Sequence, residues 1–132
     1  MNDEQIAELL KSNPRVAVIG ISAKPERASF HIATFLVEKG LEVVGVNPVL
    51  SEVKGIKVYP TLADIPGDID LVDVFRRSDA VPMIVDACIE KGVGNIWLQE
   101  GISHPEAEQK AIEAGLGVVS DLCIYKEWLR LL

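Results

Sequence analysis

Two short stretches gather the side chains of this chain that could hold an anion. The first, Gly20-Ile21-Ser22-Ala23-Lys24-Pro25-Glu26-Arg27-Ala28-Ser29, combines a glycine with two cations and two hydroxyl groups. The second, Phe75-Arg76-Arg77, adds two more cations. Four of the 13 Lys and Arg residues therefore fall on two loops of a chain whose formal net charge is −7. Hydrogen bonds from ammonium or guanidinium groups to phosphate are roughly twice as strong as neutral ones. Gly20 lets the backbone turn tightly and come close to a ligand. Where such a loop leads from a strand into a helix, unpaired N–H groups and the helix dipole add to the attraction. The chemistry on offer is the binding of phosphate groups.

Other chemistries find little support. His31, His104, Cys88 and Cys123 are too scattered to form a metal-ligand set. No GxSxG elbow marks a serine nucleophile, and no carboxylate pair is placed for proton transfer. Asp73 is expected to brace the loop near Arg76. Cys88 falls on an apolar helical stripe and reads as core. Cys123 reads as a packing thiol, with a mixed disulfide to a thiol ligand as the alternative. His31 reads as structural, with a phosphate contact as the alternative, and His104 before Pro105 as a helix start. These residues predict binding without catalysis.

The nucleotide patterns that are missing narrow the ligand. A GxGxxG fingerprint is broken after Gly20 by Lys24-Pro25, and no GxxxxGK(S/T) loop is present. Dinucleotide sites use a carboxylate at the end of the second strand to hold ribose hydroxyls. Here Asn47-Pro48 occupies that place. A carboxylate would repel a phosphorylated ribose, so its absence favours a polyphosphorylated nucleotide that carries a phosphate on its sugar.

The elements that must position these loops are legible in the apolar pattern. Strands are expected at Arg15–Ile19, Glu42–Val46, Ile69–Phe75, Asn95–Leu98 and Gly117–Val119. Helices are expected over Asp3–Ser12, from Ser29 to a stop at Gly40, from a Ser78 N-cap to Gly92, from Pro105 to Gly115, and over Ile124–Leu131. The segment with Gly55 and Tyr59-Pro60 reads as a loose excursion, with a short turn near Thr61–Ile65. Apolar strands alternating with helices imply an α/β fold, a parallel sheet covered on both faces. The expected architecture is a three-layer, Rossmann-type doubly wound sheet of five parallel strands in the order 3-2-1-4-5, with a ligand beyond the carboxyl ends at the switch point.

With 132 residues, 48% of them apolar, the chain is long enough for one domain, expected to span residues 1–132. Its acidic balance argues against a nucleic-acid or anionic-membrane surface. The acidic start Met1-Asn2-Asp3-Glu4 is unlike a targeting segment, and no apolar run is long enough to span a bilayer. A cytoplasmic location is expected.

Gly20-Ile21-Ser22, Lys24-Pro25-x-Arg27-x-Ser29, Val46-Asn47-Pro48, Val72-Asp73-Val74-Phe75-Arg76, Trp97-Leu98-Gln99-x-Gly101-Ile102 and Asp121-x-Cys123 follow one another in that order. Together they resemble the small single-domain CoA-binding proteins, which are similar in fold to the CoA-binding domain of the succinyl-CoA synthetase α subunit. The resemblance runs from about Ile6 to Leu131 and implies coenzyme A, or an acyl-CoA, as the ligand. It places Gly20 and Ile21 in the binding loop, and Ser22, Ala23 and Lys24 on the CoA diphosphate. Arg27 and Ser29 belong to the family's Pro-x-Arg-x-Ser element. By the same resemblance Asn47, Pro48 and Val49 lie near the phosphorylated ribose, and Phe75 and Arg76 beside the adenosine. Gln99, Glu100 and Gly101 match the loop that meets the ligand after the fourth expected strand. Two other readings stay open: an NAD(P)-responsive regulatory module of the same fold, and an interaction subunit whose crevice is vestigial and whose C-terminal apolar residues meet a partner.

Overall fold

A computed structural model describes residues 1–132 and shows how the alternating runs fold. Helix α1 (Asp3–Lys11) leads into β1 (Val16–Ile19), α2 (Ala28–Glu38) and β2 (Val43–Val46). Strands β3 (Glu52–Val53), β4 (Ile56–Tyr59) and β5 (Leu71–Val74) follow. Helix α3 (Val81–Lys91), β6 (Asn95–Leu98), α4 (Pro105–Glu113), β7 (Gly117–Val119) and α5 (Ile124–Leu131) complete the chain. The seven strands form one sheet in the order β3-β4-β2-β1-β5-β6-β7, parallel throughout except for the β3–β4 pair.

This corrects the expected five-strand order. The third expected strand, now β5, pairs with β1 and does not lie outside β2. The place beside β2 belongs to β4, from the segment read as an excursion. Lys54 and Gly55, at φ 47° and 84°, form the two-residue link of a β3–β4 hairpin. Strand β3 has only two residues, and β4, though as long as β1, lies between Gly55 and Pro60, so the segment read as turns. Without β3, the parallel strands run 3-2-1-4-5-6, the order of a doubly wound nucleotide-binding sheet, and the switch point lies between β1 and β5.

The expected three layers are present. Ala17, Ile19, Val72, Val74, Ile96 and Leu98 pack with α3 and α4 on one face. Val16, Val18, Leu71 and Trp97 pack with α1, α2 and α5 on the other. Strand side chains alternate between these layers, so Asp73, between Val72 and Val74, faces the second one. No helix is long and apolar enough to cross a membrane.

Local chemistry fixes several of the helix ends. His104 caps α4 as expected, its Nδ1 accepting from the Ala107 N–H at 3.2 Å, and Gly92 ends α3 at φ 79°. Ser78 is not the cap of α3. It opens a single 3₁₀ turn (Ser78–Ala80), and its Oγ accepts from the Ser103 N–H at 3.1 Å, linking the loops after β5 and β6. A proline in the first turn of α3 removes one of the N–H groups that a cap would have served.

Candidate functional site

At the carboxyl ends of the strands, β1 ends in Gly20 at φ 89°, a conformation open to glycine at little cost. A Cβ at this position would stand 2.5 Å from the Phe75 carbonyl oxygen and 3.2 Å from Arg76 Cδ. The loop after β1 therefore passes flush against the loop after β5, the closest approach at the switch point. Beyond Gly20 the loop is held by its own polar groups. The Ser22 N–H donates to Ser29 Oγ and the Lys24 N–H to Ser22 Oγ, both at 3.1 Å. Ser29 is buried, so it closes the loop onto the first turn of α2.

That closure leaves donors facing out. The N–H groups of Ala23, Ala28 and Ser29 meet no protein acceptor, and Arg27 stands at the N-cap of α2 without a side-chain cap. The side chains of Lys24, Arg27 and Arg76 are exposed, and no carboxylate pairs with any of them. Arg77 pairs only loosely with Asp79, at 3.5 Å. In contrast Arg15, Lys110, Lys126 and Arg130 are each tied to an acid.

The end of β2 is bound to the same loop. Asn47 Nδ2 donates to the Ile21 carbonyl at 3.0 Å, and Asn47 Oδ1 accepts from the N–H groups of Val49 and Leu50 at 2.8 and 3.1 Å. A carboxylate at this position would lose the donation to Ile21. Asn at this position therefore has a structural reason of its own.

These elements border a groove of about 580 Å³ that brings together Gly20, Ile21, Ser22, Ala23, Lys24, Arg27, Ser29, Asn47 and Val49. Pro48 lies in an adjoining groove with Asn47, Phe75 and Arg76. A second large groove, about 690 Å³, takes in Phe75, Arg76, Gln99, Glu100 and Gly101. Phe75 borders all three. Every residue that the resemblance assigned to ligand binding therefore lines this connected edge. Like Ser29 and Asn47, two residues of the second groove serve structure as well: Gln99 Oε1 accepts from the Ile124 N–H at 3.3 Å, and Glu100 is held by Lys126 at 2.8 Å. The Gly101 N–H is capped by Asp121 Oδ1 at 2.6 Å.

Sequence reasoning missed Ala28, Leu50, Ile32 and Ile102 as lining residues. Ala28 opens α2 inside the cationic stretch and could have been read from it, whereas Leu50 lay in the unassigned excursion. Cys123 stands at the N-cap of α5 and borders the second groove. His31 is exposed on α2 and borders a third groove, beside Phe35 and Tyr125. Cys88 is buried, and that burial pushes its thiol pKa up to about 12.

Asp73 does not brace the Arg76 loop. Its carboxyl is fully buried, neither oxygen has a hydrogen-bond partner, and desolvation holds its pKa well above the ordinary carboxylate range.

Comparison with known proteins bears on this edge. The uncharacterised protein YneT of Bacillus subtilis (strain 168) is 38% identical over 120 residues, spanning 91% of this chain and 89% of its own. A solved structure of a hypothetical protein from Pyrococcus horikoshii OT3 superposes with a TM-score of 0.95 at 39% identity, covering 99% of this chain and 92% of that one. The ADP-forming acetate–CoA ligase II subunit alpha of Pyrococcus furiosus is 35% identical over 107 residues, 79% of this chain but only 23% of the ligase subunit. The ligase's activity therefore belongs to a much larger protein. The family model described as CoA binding domain matches residues 14–128, which span the sheet and all the loops described above. The chain belongs to the CoA binding domain family.

Proposed function

We propose that this chain, as one domain over residues 1–132, binds coenzyme A or an acyl-CoA along the carboxyl edge of its sheet and does so without catalysing a reaction. The observation that carries this reading is the set of unpaired cations, Lys24, Arg27 and Arg76, gathered around free N–H groups on an otherwise acidic protein. The diphosphate is assigned to Ser22, Ala23, Lys24 and Arg27, at the mouth of α2. Ser29 acts as the clasp that keeps those donors aligned. Asn47, Pro48 and Val49 border the phosphorylated ribose, where no acid repels it, with Phe75 and Arg76 beside the adenosine. The pantetheine arm then crosses to Gln99, Glu100 and Gly101. These are two strands over from Gly20, about 10 Å at the usual strand spacing.

Titration calorimetry with CoA, dephospho-CoA and NAD tests the reading. CoA is expected to bind tightest, dephospho-CoA more weakly and NAD least. Equal affinity for CoA and NAD would remove the argument from the sugar phosphate and favour the NAD(P)-responsive alternative.

A further inference from the structure

Gln99 is only 5% exposed, yet it borders the second groove. The Ile124 N–H donates to its Oε1 at 3.3 Å. A backbone N–H can only donate, so the amide oxygen must face α5 and the NH₂ group must turn the other way. No protein group accepts from that Nε2, and it is not sealed off, since the only buried side-chain atoms without a partner are the two Asp73 oxygens. The groove therefore carries an amide donor on a nine-tenths buried, rigidly held side chain, with its NH₂ open to whatever fills the groove. A ligand carbonyl would replace water on that donor, for the modest net gain of one hydrogen bond.

The groove does not stop at Gln99. Ala28, Ile32 and Cys123 border both it and the third groove, of about 570 Å³ between α2 and α5. Phe35 and Tyr125 wall that far end, their rings edge to face at 4.7 Å. A ligand lying along this track from Lys24 meets phosphate donors first, then one amide donor, then Ile32, Phe35 and Tyr125, with His31, Thr34 and Glu38 also lining that end. An acyl-CoA presents its groups in that same order: phosphates, thioester carbonyl, hydrocarbon. Free CoA ends in a thiol and leaves the last stretch empty.

Resting on the reading of this edge as a CoA site, we propose that the groove selects a short acyl thioester of CoA over the free thiol. Gln99 Nε2 donates to the thioester carbonyl, and the acyl chain lies against Ile32, Phe35 and Tyr125. The two amide carbonyls of the pantetheine arm are common to CoA and acyl-CoA, so they drop out of the comparison.

Calorimetry of the wild-type chain with CoA, butanoyl-CoA and S-butyl-CoA, a thioether without the carbonyl, provides the test. Butanoyl-CoA is expected to bind about fivefold or more tighter than either of the others, the effect of one net hydrogen bond. In Gln99→Met, butanoyl-CoA and S-butyl-CoA are expected to bind alike. Because Gln99 also holds α5, that variant could unfold; the three-ligand comparison on the wild type stands without it. Equal affinity for CoA and butanoyl-CoA, or for butanoyl-CoA and S-butyl-CoA, overturns this inference and leaves the CoA site intact. Failure of all three to bind overturns the reading on which it rests.

Discussion

The side-chain amide of Asn47 donates to the backbone carbonyl of Ile21 at 3.0 Å, so the end of β2 and the loop after β1 move as one piece. Asn47→Asp keeps the shape but removes the donor and sets a carboxylate against a carbonyl. Chemical denaturation is expected to show a loss of about 1–3 kcal/mol, the usual cost of leaving a partner unsatisfied. CoA affinity should fall further than dephospho-CoA affinity, since the new charge also repels the ribose phosphate.

Lys24 and Arg27 are exposed and unpaired, so they contribute little to folding. Lys24→Ala and Arg27→Ala should each weaken CoA binding by about 1–3 kcal/mol. Their unfolding free energies should stay within about 0.5 kcal/mol of wild type. Unchanged calorimetric affinity in both variants would show that the phosphates lie elsewhere.

Gly20→Ala combines a left-handed backbone with a methyl group driven onto the Phe75 carbonyl oxygen. It is expected to destabilise the fold by about 1–3 kcal/mol and to displace the Phe75 loop. Thermal melting reads the first effect and CoA titration the second.

Asp73 titrates with an unusual sign. Its folded pKa is raised by burial, so the folded chain keeps this proton to higher pH than the unfolded chain does. Between about pH 4, where a free Asp ionises, and the raised folded value, unfolding releases the proton, and this group's contribution to stability falls as pH rises. Asp73→Val replaces the unpartnered acid with an apolar side chain of strand-forming type. Urea midpoints measured at pH 5 and pH 8 should show the variant more stable than wild type, by a margin that widens with pH. Parallel pH profiles would refute the assignment.

Much of this architecture is legible in the sequence. Gly20, Lys24, Arg27 and Arg76 announced a cationic edge because cations and a glycine clustered where a strand enters a helix. A strand such as Val16–Ile19 is apolar on both faces and declares itself. What escaped lies where local signal is weak or where partners come from far along the chain. The β3–β4 hairpin is masked by the turn residues Gly55 and Pro60 around a strand no shorter than β1, and the strand order depended on it. The bond from Ser103 to Ser78 spans 25 residues, so nothing near Ser78 could reveal that its hydroxyl was taken. Asp73 sits in a motif that looks like a loop brace, and only alternation along β5 shows it turned into the interior.

The antiparallel hairpin also governs how the molecule meets its own kind. At this border the sheet ends in β3, a strand of two residues, with Glu52, Lys54 and Lys57 exposed around it. A rim so brief and so charged gives a neighbouring chain almost no unpaired backbone to extend, and it discourages the edge-to-edge stacking that open parallel sheets invite.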